Sequence, residues 1–125
     1  MNIVAVSIAL VLCVSAALAD PVKLTASEVT GLLSGNTAVG QWDGTPYRQI
    51  FETSGRTVYA EKNAPHSQGR WRTNAGTGSY ESWWQNSGWS AYEVWRDGDV
   101  HFWRGGGQDR AEFSVEPGLR LGFPD

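Results

Sequence analysis

The chain has almost no sulfur chemistry, with one cysteine and one methionine in 125 residues. Cys13 lies inside an uncharged apolar leader, so the rest of the chain forms no internal disulfide and offers no thiolate for zinc. Histidine is nearly as scarce: His66 and His101 lie far apart and share no ligand spacing with carboxylates, so we expect no metal and no cofactor. Basic runs are missing too. Ten basic residues against thirteen acidic ones give a formal charge of −3, which argues against nucleic acid as a partner. No serine sits in a Gly-x-Ser-x-Gly elbow, so a nucleophile with a histidine base has no starting point. The glycines at 105–107 have no helix after them and read as a turn, not a phosphate loop.

Residues 1–19, MNIVAVSIALVLCVSAALA, carry no charged side chain and end on Ala17-Leu18-Ala19, the small residues that a signal peptidase requires. Their apolar stretch is short for a membrane span. Leu12 precedes Cys13 where lipidation wants a small residue. We therefore expect a signal peptide over 1–19 and a periplasmic or secreted mature chain over 20–125, which is enough for a single small domain. The mature chain is expected to be a monomer with no membrane span.

Residues 24–35, LTASEVTGLLSG, read as one short helix. Thr25 and Glu28 form a capping box, Val29, Leu32 and Leu33 share a face, and Gly35 supplies a left-handed stop. A helix this short must dock on something, and we expect it to cover one end of a sheet. Beyond it, apolar alternation and turn residues every eight to twelve positions predict strands at 37–42, 45–52, 57–61, 69–73, 79–84, 89–96, 99–104 and 110–115. Eight antiparallel strands leave two edges unless they close. The expected fold is all-β, a small meander or up-and-down, lipocalin-like barrel with a short N-terminal helix, and a two-layer sandwich is the alternative.

Residues 80–95, YESWWQNSGWSAYEVW, hold four of the seven tryptophans and two of the four tyrosines. With Asp97-Gly98 as a two-residue turn, Tyr92 faces Trp103, Trp95 faces Val100 and Ala91 faces Arg104. Tyr92, Val94, His101 and Trp103 then share one face, and Glu93, Trp95, Phe102 and Arg104 the other. A loop over 84–88 pairs Trp83 with Trp89 and Glu81 with Ala91. That row predicts a Glu81 to Arg104 ion pair across Ala91. Trp83 and Trp84 are neighbours on a strand and must point to opposite faces.

The order LLSGNT, YRQIF, GRWR, SYESWW and GWSAYEVWRDGD, followed by a tryptophan strand, resembles a family of small exported Gram-negative bacterial proteins of unknown function, over residues 24–121. The resemblance implies a pair of cysteines, disulfide-bonded across the hairpin, at the positions held here by Glu81 and Ala91. This chain lacks both, so it implies a structural position there and supplies no catalytic residue.

The aromatic sheet carries the functional expectation. Tyr80, Trp84, Trp89 and Tyr92 on the hairpin, with His101, Trp103 and Arg104 on the next strand, are the candidate ligand-binding residues. They would stack on a saccharide or line a barrel mouth for a small apolar molecule, while most of the tryptophans fill the core. The expected function is non-catalytic. The alternatives are a structural or interaction protein of the cell envelope that docks a partner chain, and a hydrolase using Glu81 or Glu93.

Overall fold

The structure is a computed structural model that describes residues 20–124, so the expected signal peptide lies outside the described residues. Its elements are β1 (Val22–Lys23), α1 (Ala26–Leu33), β2 (Asn36–Trp42), β3 (Thr45–Phe51), β4 (Arg56–Glu61), β5 (Ser67–Thr73), β6 (Tyr80–Trp84), β7 (Gly88–Asp97), β8 (Val100–Gly105) and β9 (Gln108–Pro117). From β2 onward each strand pairs antiparallel with the next, and β9 returns to pair with β2, Gly40 opposite Phe113 and Asn36 opposite Pro117. The eight strands therefore close into an up-and-down barrel, which leaves no open edge and excludes the sandwich.

The helix forms as its caps dictate. The Thr25 hydroxyl accepts from the Glu28 amide at 3.2 Å and the Glu28 carboxylate accepts from the Thr25 amide at 3.1 Å. Gly35 then takes φ 77° and donates its amide to the Phe51 carbonyl, which turns the chain straight into β2. Val29 and Leu33, both fully buried, seal the end of the barrel at Phe51 and Trp71. Strand β1 has no sequence signal of its own. It takes over the flank of β7 beyond the end of β6, with Lys23 opposite Trp95.

Alternation sorts the side chains between the two walls. Tyr47, Phe51, Trp71, Tyr80, Trp103 and Phe113 point inward and form the core with the helix. Outside, the tail beyond β9 folds back over β2 and β3: Thr37 donates to the Gly118 carbonyl at 2.7 Å and Arg48 to the Arg120 carbonyl at 2.9 Å. Arg48, almost fully buried under this tail, also pairs with Glu116. Among the described residues no helix is long and apolar enough to cross a membrane.

The hairpin between β6 and β7 has the expected register, with Trp83 opposite Trp89 and Glu81 opposite Ala91. The next hairpin corrects the expectation by one residue on each strand. Asp97 pairs with Val100, so the turn residues are Gly98 and Asp99, and Gly98 at the first turn position takes φ 58°. A total shift of two keeps every side chain on its expected face, but it moves Arg104 from beside Ala91 to beside Glu93. Arg104 is then two strand residues, roughly 6.6 Å, away from the Glu81 row. The predicted Glu81–Arg104 ion pair does not form. Glu81 instead accepts from Arg72 of β5, its directly opposite neighbour, at 2.7 Å.

Candidate functional site

The helix closes one end of the barrel and the other end is open. There a cavity of about 660 Å³ runs down between the inward side chains of β2 to β8. Eight strands give a barrel interior wide enough to be filled by side chains or to hold one small ligand. Here the lower half is filled, and rings line the walls of the upper half.

Each wall ring owes its place to strand parity and to what lies behind it. Trp42 at the end of β2 meets Tyr92 of β7 edge to face, 6.0 Å apart at 82°. Tyr47 and Tyr59, on neighbouring strands β3 and β4, stack at 5.2 Å, and Tyr59 meets Trp84 at 6.4 Å and 78°. Two glycine sites make room for rings to lie against the wall. A Cβ on Gly69 would sit 2.7 Å from the Trp84 ring, and one on Gly106 would sit 2.8 Å from the Tyr92 ring and 3.0 Å from Trp42. Gly105 and Gly106 thus seat the mouth rings, a role their sequence did not announce.

The polar groups at depth are consumed by one another. Gln49 donates from Nε2 to Thr57 Oγ1 at 2.9 Å and to the Tyr80 hydroxyl at 3.1 Å. Trp103 donates to the Tyr47 hydroxyl at 2.9 Å and Trp84 to Ser82 at 3.2 Å. Among the described residues no buried side-chain nitrogen or oxygen lacks a partner. Burial pushes the Tyr47 phenol up to about 12 and raises the Tyr59 and Tyr80 phenols still further. Tyr47, Tyr59 and Tyr80 are therefore neutral at physiological pH. At the rim, Glu61 accepts from the Tyr59 hydroxyl at 3.3 Å, with His66, Gln68, Gln85 and Asn86 beside it. Among the described residues no lysine or arginine lines the cavity.

Four of the seven candidate residues come together here: Tyr80, Trp84, Tyr92 and Trp103. The other three do not. Trp89 and Arg104 face outward, the first 41% exposed under the Arg72 guanidinium and the second stacked on Trp95. His101 has inward parity but sits toward the closed end against Phe113, where burial and then Arg96 lower its pKa. Glu81 and Glu93 are outside the barrel as well. Hydrogen bonds from Arg72 and from Trp95 hold their carboxyls below the usual range, so neither is placed as a raised-pKa acid. Sequence reading missed Trp42, Tyr47, Gln49, Tyr59, Glu61 and His66 as site residues. The signal that carries most of them is the period of two in Tyr47, Gln49, Phe51 and in Tyr59, Glu61.

Among the described residues no cluster of three or more histidine, cysteine, aspartate or glutamate side chains is placed to hold a metal ion. No family model matches the chain, nor does any curated protein or solved structure.

Proposed function

We propose that the protein is an exported, non-catalytic binder of one small molecule, held in the open end of its barrel. The observation that carries this reading is the cavity of about 660 Å³, closed by the helix at one end and walled by rings at the other. Its size lies within the roughly 300–1,000 Å³ of small-molecule sites, and rings with a few oriented polar groups are what such sites use for affinity and specificity. Export is supported by the leader at 1–19, and the resemblance to small exported proteins fits it.

The experiment is a titration of intrinsic tryptophan fluorescence with small aromatic, lipophilic, cationic and saccharide compounds, repeated in Trp84→Ala and Trp89→Ala. The expected result is a saturable shift that Trp84→Ala removes and Trp89→Ala keeps. A folded protein that responds to none of the compounds, or a response lost only in Trp89→Ala, rejects the cavity as the site.

A second reading has its own observation. Trp83, Trp89, Trp95 and Phe102 form an outer stripe whose rings sit under Arg70, Arg72, Arg104 and Arg110, and Trp89 is well exposed. A stripe of aromatics and arginines is the composition of protein-interface hot spots, so this face suits a partner chain in the envelope. Loss of partner capture in Trp89→Ala with unchanged cavity titrations would favour that role.

A further inference from the structure

Given the cavity-binding reading above, we infer that its ligand is an organic cation, an amine or quaternary ammonium group held among the mouth rings with Glu61 as its counter-charge. The cavity's deep polar atoms already satisfy one another through Gln49, Thr57, Tyr80, Tyr47, Trp103, Ser82 and Trp84. A ligand that recognises its site through many hydroxyl groups therefore finds few free partners below the rim. The wall rings and one carboxylate remain.

The rings differ from those outside in one respect. Each outer ring already carries a guanidinium of the chain itself: Arg72 lies 3.7 Å from the Trp89 ring centre, Arg104 4.5 Å from Trp95, Arg110 4.6 Å from Phe102 and Arg70 5.3 Å from Trp83. Among the described residues no arginine or lysine lines the cavity, and none is stacked on its rings. Tyr59 with Trp84 and Trp42 with Tyr92 meet near right angles, giving walls in two directions, as in the aromatic cages that hold ammonium groups.

The carboxylate completes the pattern. Glu52, Glu81, Glu93, Glu112 and Glu116 each pair with an arginine or lysine, and Glu28 caps α1. Among the described residues Glu28 and Glu61 are the glutamates without an ion pair; Glu28 is spent on the helix cap, whereas the Glu61 carboxylate stands at the cavity rim and accepts from the Tyr59 hydroxyl. A bare carboxylate beside uncommitted rings attracts positive charge and repels anions.

The test uses two esters of nearly equal shape, acetylcholine and 3,3-dimethylbutyl acetate, in which a carbon replaces the charged nitrogen. Tryptophan fluorescence and calorimetric titrations are run on the wild type, Glu61→Gln and Trp84→Ala, with near-ultraviolet circular dichroism to confirm that each variant is folded. The charged ester is expected to bind at least about tenfold tighter than the neutral one, the size of a single well-formed cation–ring contact in a partly dry site. Glu61→Gln should weaken the charged ester severalfold and leave the neutral ester unchanged, while Trp84→Ala should weaken both. Neutral ester bound as tightly as charged ester overturns the cation class and leaves the cavity-binding reading standing. Binding of the charged ester that Glu61→Gln does not weaken overturns the placement of its charge. A folded protein that binds neither ester also overturns the cation class, and the wider compound titration then decides cavity binding separately.

Discussion

Along β6, β7 and β8 the same strands carry rings on both walls, and the two sets are stabilised differently. The inner set, Tyr80, Trp84, Tyr92 and Trp103, packs ring on ring, with Tyr80 and Trp103 centred 4.9 Å apart, and the polar atoms of Tyr80, Trp84 and Trp103 are paired inside. The outer set, Trp83, Trp89, Trp95 and Phe102, packs arginine on ring. Inner rings lose most of their solvent exposure and set the stability of the barrel. The outer ones stay near water, except Phe102, which Trp95 and two guanidiniums cover to 1% exposure. A barrel whose described residues hold no cysteine can therefore rest its stability on one wall and keep the other adjustable.

The largest effect should come from the closed end of the inner wall. Phe51 is fully buried and touches Trp71, Tyr80 and Trp103 at once, each ring centre 5.6 to 6.5 Å away. Phe51→Ala should cost about 3–5 kcal/mol in urea-induced unfolding, through lost transfer energy and the cavity left behind. An outer truncation such as Trp89→Ala that cost as much would erase the distinction between the walls.

Alkali should act next, and only on the inner wall, since all four tyrosines point inward. Burial raises the Tyr47 phenol to about 12 from its ordinary value of 10. A group whose folded pKa is raised contributes stability that is complete below its unfolded pKa and is lost as pH climbs through the folded one. Stability should thus fall between about pH 10 and 12, with Tyr47 alone accounting for something on the order of 3 kcal/mol, and Tyr59 and Tyr80 adding to it. The check is the urea midpoint followed against pH beside tyrosinate absorbance. Ionisation of Tyr47, Tyr59 and Tyr80 together near pH 10 in a folded barrel would contradict it.

What could be read from the sequence follows from what is local. The helix, its capping box and all eight barrel strands were legible because periodicity and turn chemistry lie within a few residues. The one-residue error at Gly98 cost the Glu81–Arg104 pair but no facing, because parity survives a shift of two. Half of the cavity was not legible. Tyr47, Tyr59 and Glu61 sit more than twenty residues before the aromatic hairpin or close to it, and only closure of β9 onto β2 brings their wall opposite Tyr92 and Trp103. Strand β1 could not be seen either, since backbone pairing at two residues needs no particular side chains.

The smallest effect should come from the arginines outside. Arg72 both stacks on Trp89 and donates to Glu81, yet its side chain is 55% exposed. Exposed ion pairs and stacked cations are screened by water, so Arg72→Ala should move the urea midpoint by no more than a few tenths molar at neutral pH and leave cavity titrations unchanged. Its signature is instead a pH dependence. The Arg72 hydrogen bond holds the Glu81 carboxyl below its usual range, and a depressed pKa gives stability that is present above the unfolded value and lost as pH falls through the folded one. Removing Arg72 should flatten the acid limb of the stability curve, and Glu81→Gln should flatten it by the same amount with no further change in the double variant. Additive effects from the two substitutions would show that arginine and glutamate act on the outer wall separately, and that the cation over Trp89 matters for the ring alone.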